Sequence, residues 1–171
     1  MVVLRATQKL AKVLPPSTDG VAQSDTALGD WYVNRLTVDR QPLLLLVSSR
    51  SLLAILAPAR DVRALPQRLA TLVAARLKRL GVAASLITAE RAAMEPVAVA
   101  RTADRSVVGI MVDYAKMIPG YLPVGGWDAT TLPFVEAKLE GNPCHASGPA
   151  GGVVFPDEAT PRLLLHRWHA A

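Results

Sequence analysis

The sequence contains few of the residues that stabilise small or unusual folds. It has one cysteine, Cys144, and aromatic residues make up only 5% of its 171 residues. A single cysteine excludes an internal disulfide, which fits a reducing compartment. Because aromatic residues are scarce, leucine, valine, alanine and isoleucine must fill the core. A chain of this length buries about 70% of its unfolded surface, so it needs neither disulfides nor a structural metal to fold.

The sequence also lacks a clean membrane span. Residues 42–59 form its most apolar region, but Arg50 and three serines interrupt them. Residues 1–16 carry their basic residues inside the apolar stretch, whereas a signal peptide places its charges ahead of an uninterrupted one. We therefore expect a cytoplasmic protein with no membrane partner.

Several motifs that carry enzyme chemistry are missing. The sequence has no phosphate-binding G-x-x-x-x-G-K-[ST] or G-x-G-x-x-G loop, and no H-E-x-x-H, G-x-S-x-G or C-x-x-C pattern. These absences argue against an ordinary nucleotide-dependent or metal-dependent enzyme, and we expect no cofactor and no metal site. Cys144 and His145 are adjacent, but neighbouring side chains on an extended chain point in opposite directions. Cys144 is therefore interpreted as an apolar anchor and not as a nucleophile.

The positive charge is concentrated in one part of the chain. The net charge is +5, and residues 50–91 alone hold eight basic and two acidic residues, a surplus of six. A basic helix over 60–79 could attract nucleic acid. However, Arg76, Lys78 and Arg79 lie in the last turn of that helix, where positive charge complements the helix dipole. Nucleic-acid binding is therefore an alternative and not the favoured interpretation.

Hydrophobic periodicity predicts an α+β fold in a single domain, residues 1–171. The order of elements lacks a repeating β-α-β alternation, which favours a small mixed or mostly antiparallel sheet of about 4–5 strands covered by several helices. Strands are predicted at 2–7, 31–38, 42–49 and 97–102, and helices at 7–14, 60–81, 85–94, 105–118, 132–141 and 161–168. Residues 51–59 fit a strand or a short helix, and we favour a strand.

Three finer expectations concern element positions and ends. Neither face of strand 31–38 is uniformly apolar, so we expect it at the outside of the sheet, whereas 42–49 is continuously apolar, as in a strand covered on both faces. Pro119 and Gly120 should end the helix that follows residue 104. Thr160 should cap the last helix, with Pro161 at its first position.

Two polar blocks are the candidate sites. In GDWYVNR, the residues Asp30, Trp31, Tyr32, Asn34 and Arg35 combine aromatic rings with a cation, which can stack a ring and pair an anion. The competing interpretation is a strand entry with an aromatic anchor.

The second block, RTADRS, begins a helix. Arg101, Arg105 and Ser106 at a helix N-terminus could hold an anion, but Asp104 is the expected N-cap and competes for the same N–H groups. Asp113 lies off the core-facing stripe of this helix and is expected in solvent.

Five blocks follow one another in an order typical of one family: LRATQKL (4–10), LGDWYVNRLTVDRQPLLLLVS (28–48), ARTADRSVVGIMVDYA (100–115), EGNPC (140–144) and PDEATPRLLL (156–165). They resemble an uncharacterised family of small bacterial proteins, a domain of unknown function. The resemblance runs across nearly the whole chain and implies a cytoplasmic bacterial protein. It implies no activity, cofactor or catalytic residue.

The most specific block is similar to the family pattern K-T-x-N-R-S-V-L-G-S-M-N-D-F. Here Asp104 replaces the first Asn, Val112 replaces the second, and Tyr114 replaces the Phe. Aspartate retains the ability to cap a helix. The valine at 112 argues against an essential polar group at that position.

We expect a small non-enzymatic binding domain that contacts a macromolecule or another copy of itself. The first alternative is a nucleic-acid-binding protein that uses the basic 60–79 helix. The second is an enzyme that acts on a small anionic substrate near Arg101–Ser106, with Arg35 and Asp113 beside the same pocket.

Overall fold

A mixed five-stranded sheet organises the protein, whose computed structural model describes residues 1–17, 23–146 and 152–169. The strands are β1 (Val2–Ala6), β2 (Trp31–Val38), β3 (Gln41–Ser48), β4 (Ala54–Pro58) and β5 (Val97–Arg101). Their order across the sheet is β4-β3-β2-β1-β5. β1 runs parallel to β2 and β5, whereas β2, β3 and β4 are antiparallel neighbours. The predicted α+β class is confirmed.

Helices cover both faces of this sheet. They are α1 (Leu65–Arg79, after a short 3-10 turn), α2 (Ala84–Ala93), α3 (Arg105–Tyr121), α4 (Leu132–Glu140) and α5 (Pro156–Trp168). α1 and α2 pack on one face together with Leu164 of α5. α3 and α4 pack on the other, with the short hairpin of β6 (Cys144–His145) and β7 (Val153–Val154). The sheet therefore separates two hydrophobic cores.

Alternation along the strands distributes side chains between these cores. Trp31 and Val33 of β2 enter the core under α1 and α2, while Tyr32 points to the core under α3 and α4. β3 is buried on both faces from Leu43 to Ser48, as its continuous apolar run predicts. Residues 54–58 form a strand, which confirms the favoured interpretation of that segment.

The expectation that strand 31–38 lies at the outside of the sheet was wrong. β2 is the central strand, between β1 and β3. β1 is short and pairs only with Trp31–Val33, so the remainder of β2 extends past its end and is partly exposed. The mixed polarity of β2 thus reflects a short neighbour.

Two expected helix boundaries were also wrong. α3 continues through Pro119 to Tyr121, because a proline in the last turn removes only one hydrogen bond and Gly120 does not adopt a positive φ. α5 begins at Pro156, and the Thr160 hydroxyl donates a 2.7 Å hydrogen bond to the Pro156 carbonyl instead of capping. A proline suits the first turn of a helix, and both Pro156 and Pro161 could occupy that position. The sequence therefore left the first residue of α5 ambiguous.

Residues 7–14 form hydrogen-bonded turns and no regular helix. The N–H of Leu10 donates to the Thr7 carbonyl, and that of Leu14 to the Leu10 carbonyl. Leu10 and Leu14 are both buried in the core beneath α1 and α2. The structure therefore has turns where a helix over 7–14 was predicted.

Candidate functional site

Residues from both predicted polar blocks meet at one cleft. Asp30, Tyr32 and Asp104 line a concavity of about 270 Å³ on the α3 side of the sheet. Its other lining residues come from β1, from the segments 23–29 and 49–50, and from the position before Asp104. They are Arg5, Gln23, Ser24, Gly29, Ser49, Arg50 and Ala103. We call this concavity the polar cleft.

A buried ion pair forms part of the polar cleft. The Nε of Arg5 donates to Oδ2 of Asp30, and Nη1 of Arg5 donates to the Arg101 carbonyl at 2.9 Å. Arg5 is only 7% exposed, so it needs such partners to offset its desolvation. The Ser24 hydroxyl donates to Asp30 Oδ1 at 2.6 Å. Both carboxylate oxygens of Asp30 are therefore engaged.

Tyr32 joins the sheet to the start of α3. Its hydroxyl accepts a 3.0 Å hydrogen bond from the backbone N–H of Asp104. Burial raises the pKa of Tyr32, so the phenol stays protonated at neutral pH. The predicted cap is present: Oδ1 of Asp104 accepts hydrogen bonds from the N–H of Ser106 at 2.8 Å and from its hydroxyl at 2.7 Å.

The backbone at Gly29 packs closely against the side chains of Ser49 and Arg50, which form one wall of the polar cleft. Gly29 has φ +74°, and a Cβ there would lie 2.5 Å from Oγ of Ser49 and 3.0 Å from Cγ of Arg50. The neighbouring N–H of Asp30 donates to Ser49 Oγ at 2.9 Å. Glycine is required here for its conformation and for the close approach.

Other predicted site residues lie away from the polar cleft. Trp31 is fully buried on the opposite face of the sheet, and Asn34 accepts a 2.8 Å hydrogen bond from the Thr7 hydroxyl. Arg35, Arg101 and Arg105 are exposed and do not line the cleft. Ser106 acts within the cap of α3.

Sequence reasoning missed Arg5, Ser49 and Arg50. Arg5 offered a signal, since it is the only charged residue in a strand whose five residues are all buried. An arginine in such a strand needs a buried partner. Ser49 and Arg50 follow an apolar strand with no pattern that distinguishes them from turn residues.

A second concavity, of about 490 Å³, lies between α3 and β6. Asp113 is exposed, as expected, and lines this groove with Lys116 and His145. Behind it, the Cys144 thiol lies 3.2 Å from the Tyr114 hydroxyl. Burial raises the pKa of both groups, so both are neutral at physiological pH. This environment supports Cys144 as an anchor, since reactive cysteines have lowered pKa values.

Part of the basic cluster is engaged in ion pairs with α4. Arg76 is 2% exposed, and its Nη2 donates to Glu140 at 2.6 Å. Arg79 donates to Oε1 of Glu136 at 2.7 Å. These two arginines of the 60–79 segment are therefore partly neutralised within the protein.

Within residues 1–17, 23–146 and 152–169, no group of three or more histidine, cysteine or acidic side chains is arranged to hold a metal ion. No helix among those residues is both long and apolar enough to cross a membrane.

A family model matches residues 3–159, which is most of the chain. The protein belongs to the family described as domain of unknown function DUF6933. No curated protein and no solved structure matches the chain significantly. The residues that line the polar cleft, from Arg5 to Asp104, all lie inside the matched range.

Proposed function

We propose that this protein is a non-catalytic binding domain that holds a polar group of a partner protein, or of a second copy of itself, in the polar cleft. One observation carries the proposal. Asp30 and Asp104, which are 74 positions apart in the sequence, converge with Arg5 and Arg50 around one concave surface. A scaffold alone does not need charged groups from four chain segments at one place.

The geometry of the polar cleft favours binding over catalysis. General base catalysis needs a free acceptor beside a group that it can deprotonate. Asp30 uses both oxygens on Ser24 and Arg5, and Asp104 uses Oδ1 to cap α3, so Oδ2 of Asp104 is the one carboxylate oxygen of the cleft without a bond among the described residues. A protonated Tyr32 is a hydrogen-bond donor and a poor nucleophile.

The size of the polar cleft supports a protein partner. Pockets for drug-sized molecules have volumes of about 300–1,000 Å³. At about 270 Å³ the polar cleft has room for one side chain or for a chain terminus. We place this binding in a bacterial cytoplasm, in keeping with the free thiol of Cys144.

The test compares two charge reversals. Arg50→Glu changes the wall of the polar cleft, whereas Arg35→Glu changes an exposed arginine outside it. Affinity capture from a lysate of the source cells and sedimentation over a range of concentrations should reveal a partner or self-association. Binding should be lost in Arg50→Glu and kept in Arg35→Glu.

Two results would contradict the proposal. One is a wild-type protein that stays monomeric and captures nothing. The other is binding that both variants weaken equally, because a site elsewhere would then be responsible.

A further inference from the structure

The polar cleft has more free hydrogen-bond donors than free acceptors. The Tyr32 hydroxyl accepts from the N–H of Asp104, and the Ser49 hydroxyl accepts from the N–H of Asp30, and neither donates its proton to any of the described residues. Arg5 uses Nε and Nη1, and Arg50 uses only Nη1, on the Thr26 carbonyl at 3.3 Å. Among the described residues, the Nη2 groups of both arginines therefore have no acceptor.

Free acceptors are scarce on the same surface. Both oxygens of Asp30 and the hydroxyl of Ser24 already accept hydrogen bonds. Oδ1 of Asp104 accepts two, so among the described residues the free side-chain acceptors of the lining are Oδ2 of Asp104 and the amide oxygen of Gln23. A ligand that satisfies this surface must bring acceptors, because a desolvated donor without an acceptor costs about 1–3 kcal/mol.

The charges select the kind of acceptor. The polar cleft contains two arginines, Arg5 and Arg50, and two carboxylates, Asp30 and Asp104, so its formal charge is zero. A phosphate dianion would leave a double negative charge beside both carboxylates. A carboxylate brings one charge, and its two oxygens match the planar donor pair of an arginine.

We propose that the polar cleft is a carboxylate-binding site, with the Arg50 guanidinium and the Tyr32 hydroxyl as its principal donors. This inference rests on the proposed function and specifies the group that the partner presents. The carboxylate belongs either to a chain terminus or to an acidic side chain, and both fit the volume.

Small probes test this directly on the full chain. N-acetylglycine represents a chain terminus, and N-acetylglutamate with its α-carboxyl amidated represents a side chain. N-acetylglycinamide is the matched neutral control, and inorganic phosphate is the dianion control. In ¹⁵N-resolved NMR titrations, at least one carboxylate should shift the amide signals of Gly29, Asp30 and Asp104 in a saturable way. The tighter carboxylate identifies the source.

Two arginine variants complete the experiment. Arg50→Met should weaken carboxylate binding about tenfold or more, since a charge-assisted hydrogen bond is lost. Arg35→Met, an exposed arginine outside the polar cleft, should leave the affinity unchanged. Both positions are exposed, so both variants should keep the spectrum of a folded protein.

The inference is overturned if the neutral amide binds as well as N-acetylglycine, if phosphate binds more tightly, or if the shifts lie elsewhere. It is also overturned if Arg50→Met binds like the wild type. Suppose that Arg50→Glu loses a bound partner but that neither carboxylate shifts the NMR signals. The proposed binding function would then hold, and only the inference that the cleft binds a carboxylate would be rejected.

Discussion

Two buried arginine–carboxylate pairs serve different purposes in this protein. Arg5 and Asp30 lie in the polar cleft, where the Asp30 side chain is 18% exposed. Arg76 and Glu136 lie beside β4, with side chains only 3% and 1% exposed. The chemical groups are the same, but one pair meets solvent and the other is closed off.

The closed pair protects an edge of the sheet. β4 is an edge strand, so one side of its backbone has no neighbouring strand. The Leu56 N–H donates to Glu136 Oε2 at 3.0 Å, and Nε of Arg76 donates to the Ala54 carbonyl at 2.9 Å. Side chains from α1 and α4 thus occupy the hydrogen-bonding groups that could recruit another strand.

The open pair leaves hydrogen-bonding capacity unused. Arg5 has a free Nη2, and the neighbouring Tyr32 and Ser49 each have an unused proton among the described residues. A buried ion pair therefore indicates a binding surface only where its surroundings hold unsatisfied groups and solvent can reach them. The same pair with every group engaged is a structural element.

The largest expected effect is on the closed pair. Glu136→Gln removes the charge that faces Arg76 and Arg79 and turns one of two engaged acceptor oxygens into a donor. It should lower the free energy of unfolding by about 2–4 kcal/mol, because buried Arg76 keeps only Glu140 and one buried donor loses its acceptor. Urea denaturation at pH 7 measures this. Glu140→Gln is the control, since its side chain is 22% exposed, and it should cost about 1 kcal/mol. Equal costs would mean that the edge pair has no special role.

The next effect tests how the open pair is held. Gly29→Ala places a Cβ against Ser49 at a positive φ and should cost about 2–3 kcal/mol. Gly81→Ala has a similar φ of +84° with no atom within 4 Å, so it should cost about 1 kcal/mol. Urea denaturation of both variants isolates the steric part. If the two costs are the same, packing against Ser49 does not shape the polar cleft.

The open pair itself should respond more weakly than the closed pair. Asp30→Asn should cost about 1–2 kcal/mol, because Arg5 keeps the Arg101 carbonyl and solvent is near. The affinity for N-acetylglycine should rise about threefold or more, since the polar cleft gains a net positive charge. Denaturation and NMR titration measure the two changes. A variant that loses both stability and affinity would argue that Asp30 positions the donors.

The smallest effect per residue is the loss of stability at alkaline pH from two buried tyrosines. Tyr32 lies near Arg5 of the open pair, and Tyr114 lies near Arg76 of the closed pair. Burial raises both pKa values above the ordinary 10.0. Stability from these groups is complete below that pH and is lost as the pH rises, because the unfolded chain releases its protons first. Each tyrosine should cost no more than about 0.8 kcal/mol at pH 10.5.

Denaturation of the wild type and of Tyr32→Phe at pH 7 and pH 10.5 measures this loss. Cys144, whose pKa burial also raises, adds to the decline above its ordinary value of 9.0. Tyr32→Phe should therefore reduce the alkaline loss without removing it. A stability that stays level to pH 10.5 would contradict the burial of these groups.

The sequence predicted most elements because their local signals agree. The amphipathic spacing of α1, the Asp104 cap of α3 and the apolar run of β3 were each sufficient. Boundaries failed where two residues of one type compete, as with Pro156 and Pro161. The position of β2 failed because the length of β1, a distant segment, decides how much of β2 is covered.

For the candidate site, the sequence determined which residue types were present and that both polar blocks exceed the needs of a core. Composition and periodicity depend only on neighbours along the chain, so they also determined the α+β class. The tertiary structure alone decided that Asp30, Tyr32 and Asp104 meet and that Arg5 and Arg50 join them. It also decided that Arg76 donates a hydrogen bond to the backbone of the edge strand β4. Those contacts join residues 22 to 96 positions apart, and no local pattern encodes a distance of that kind.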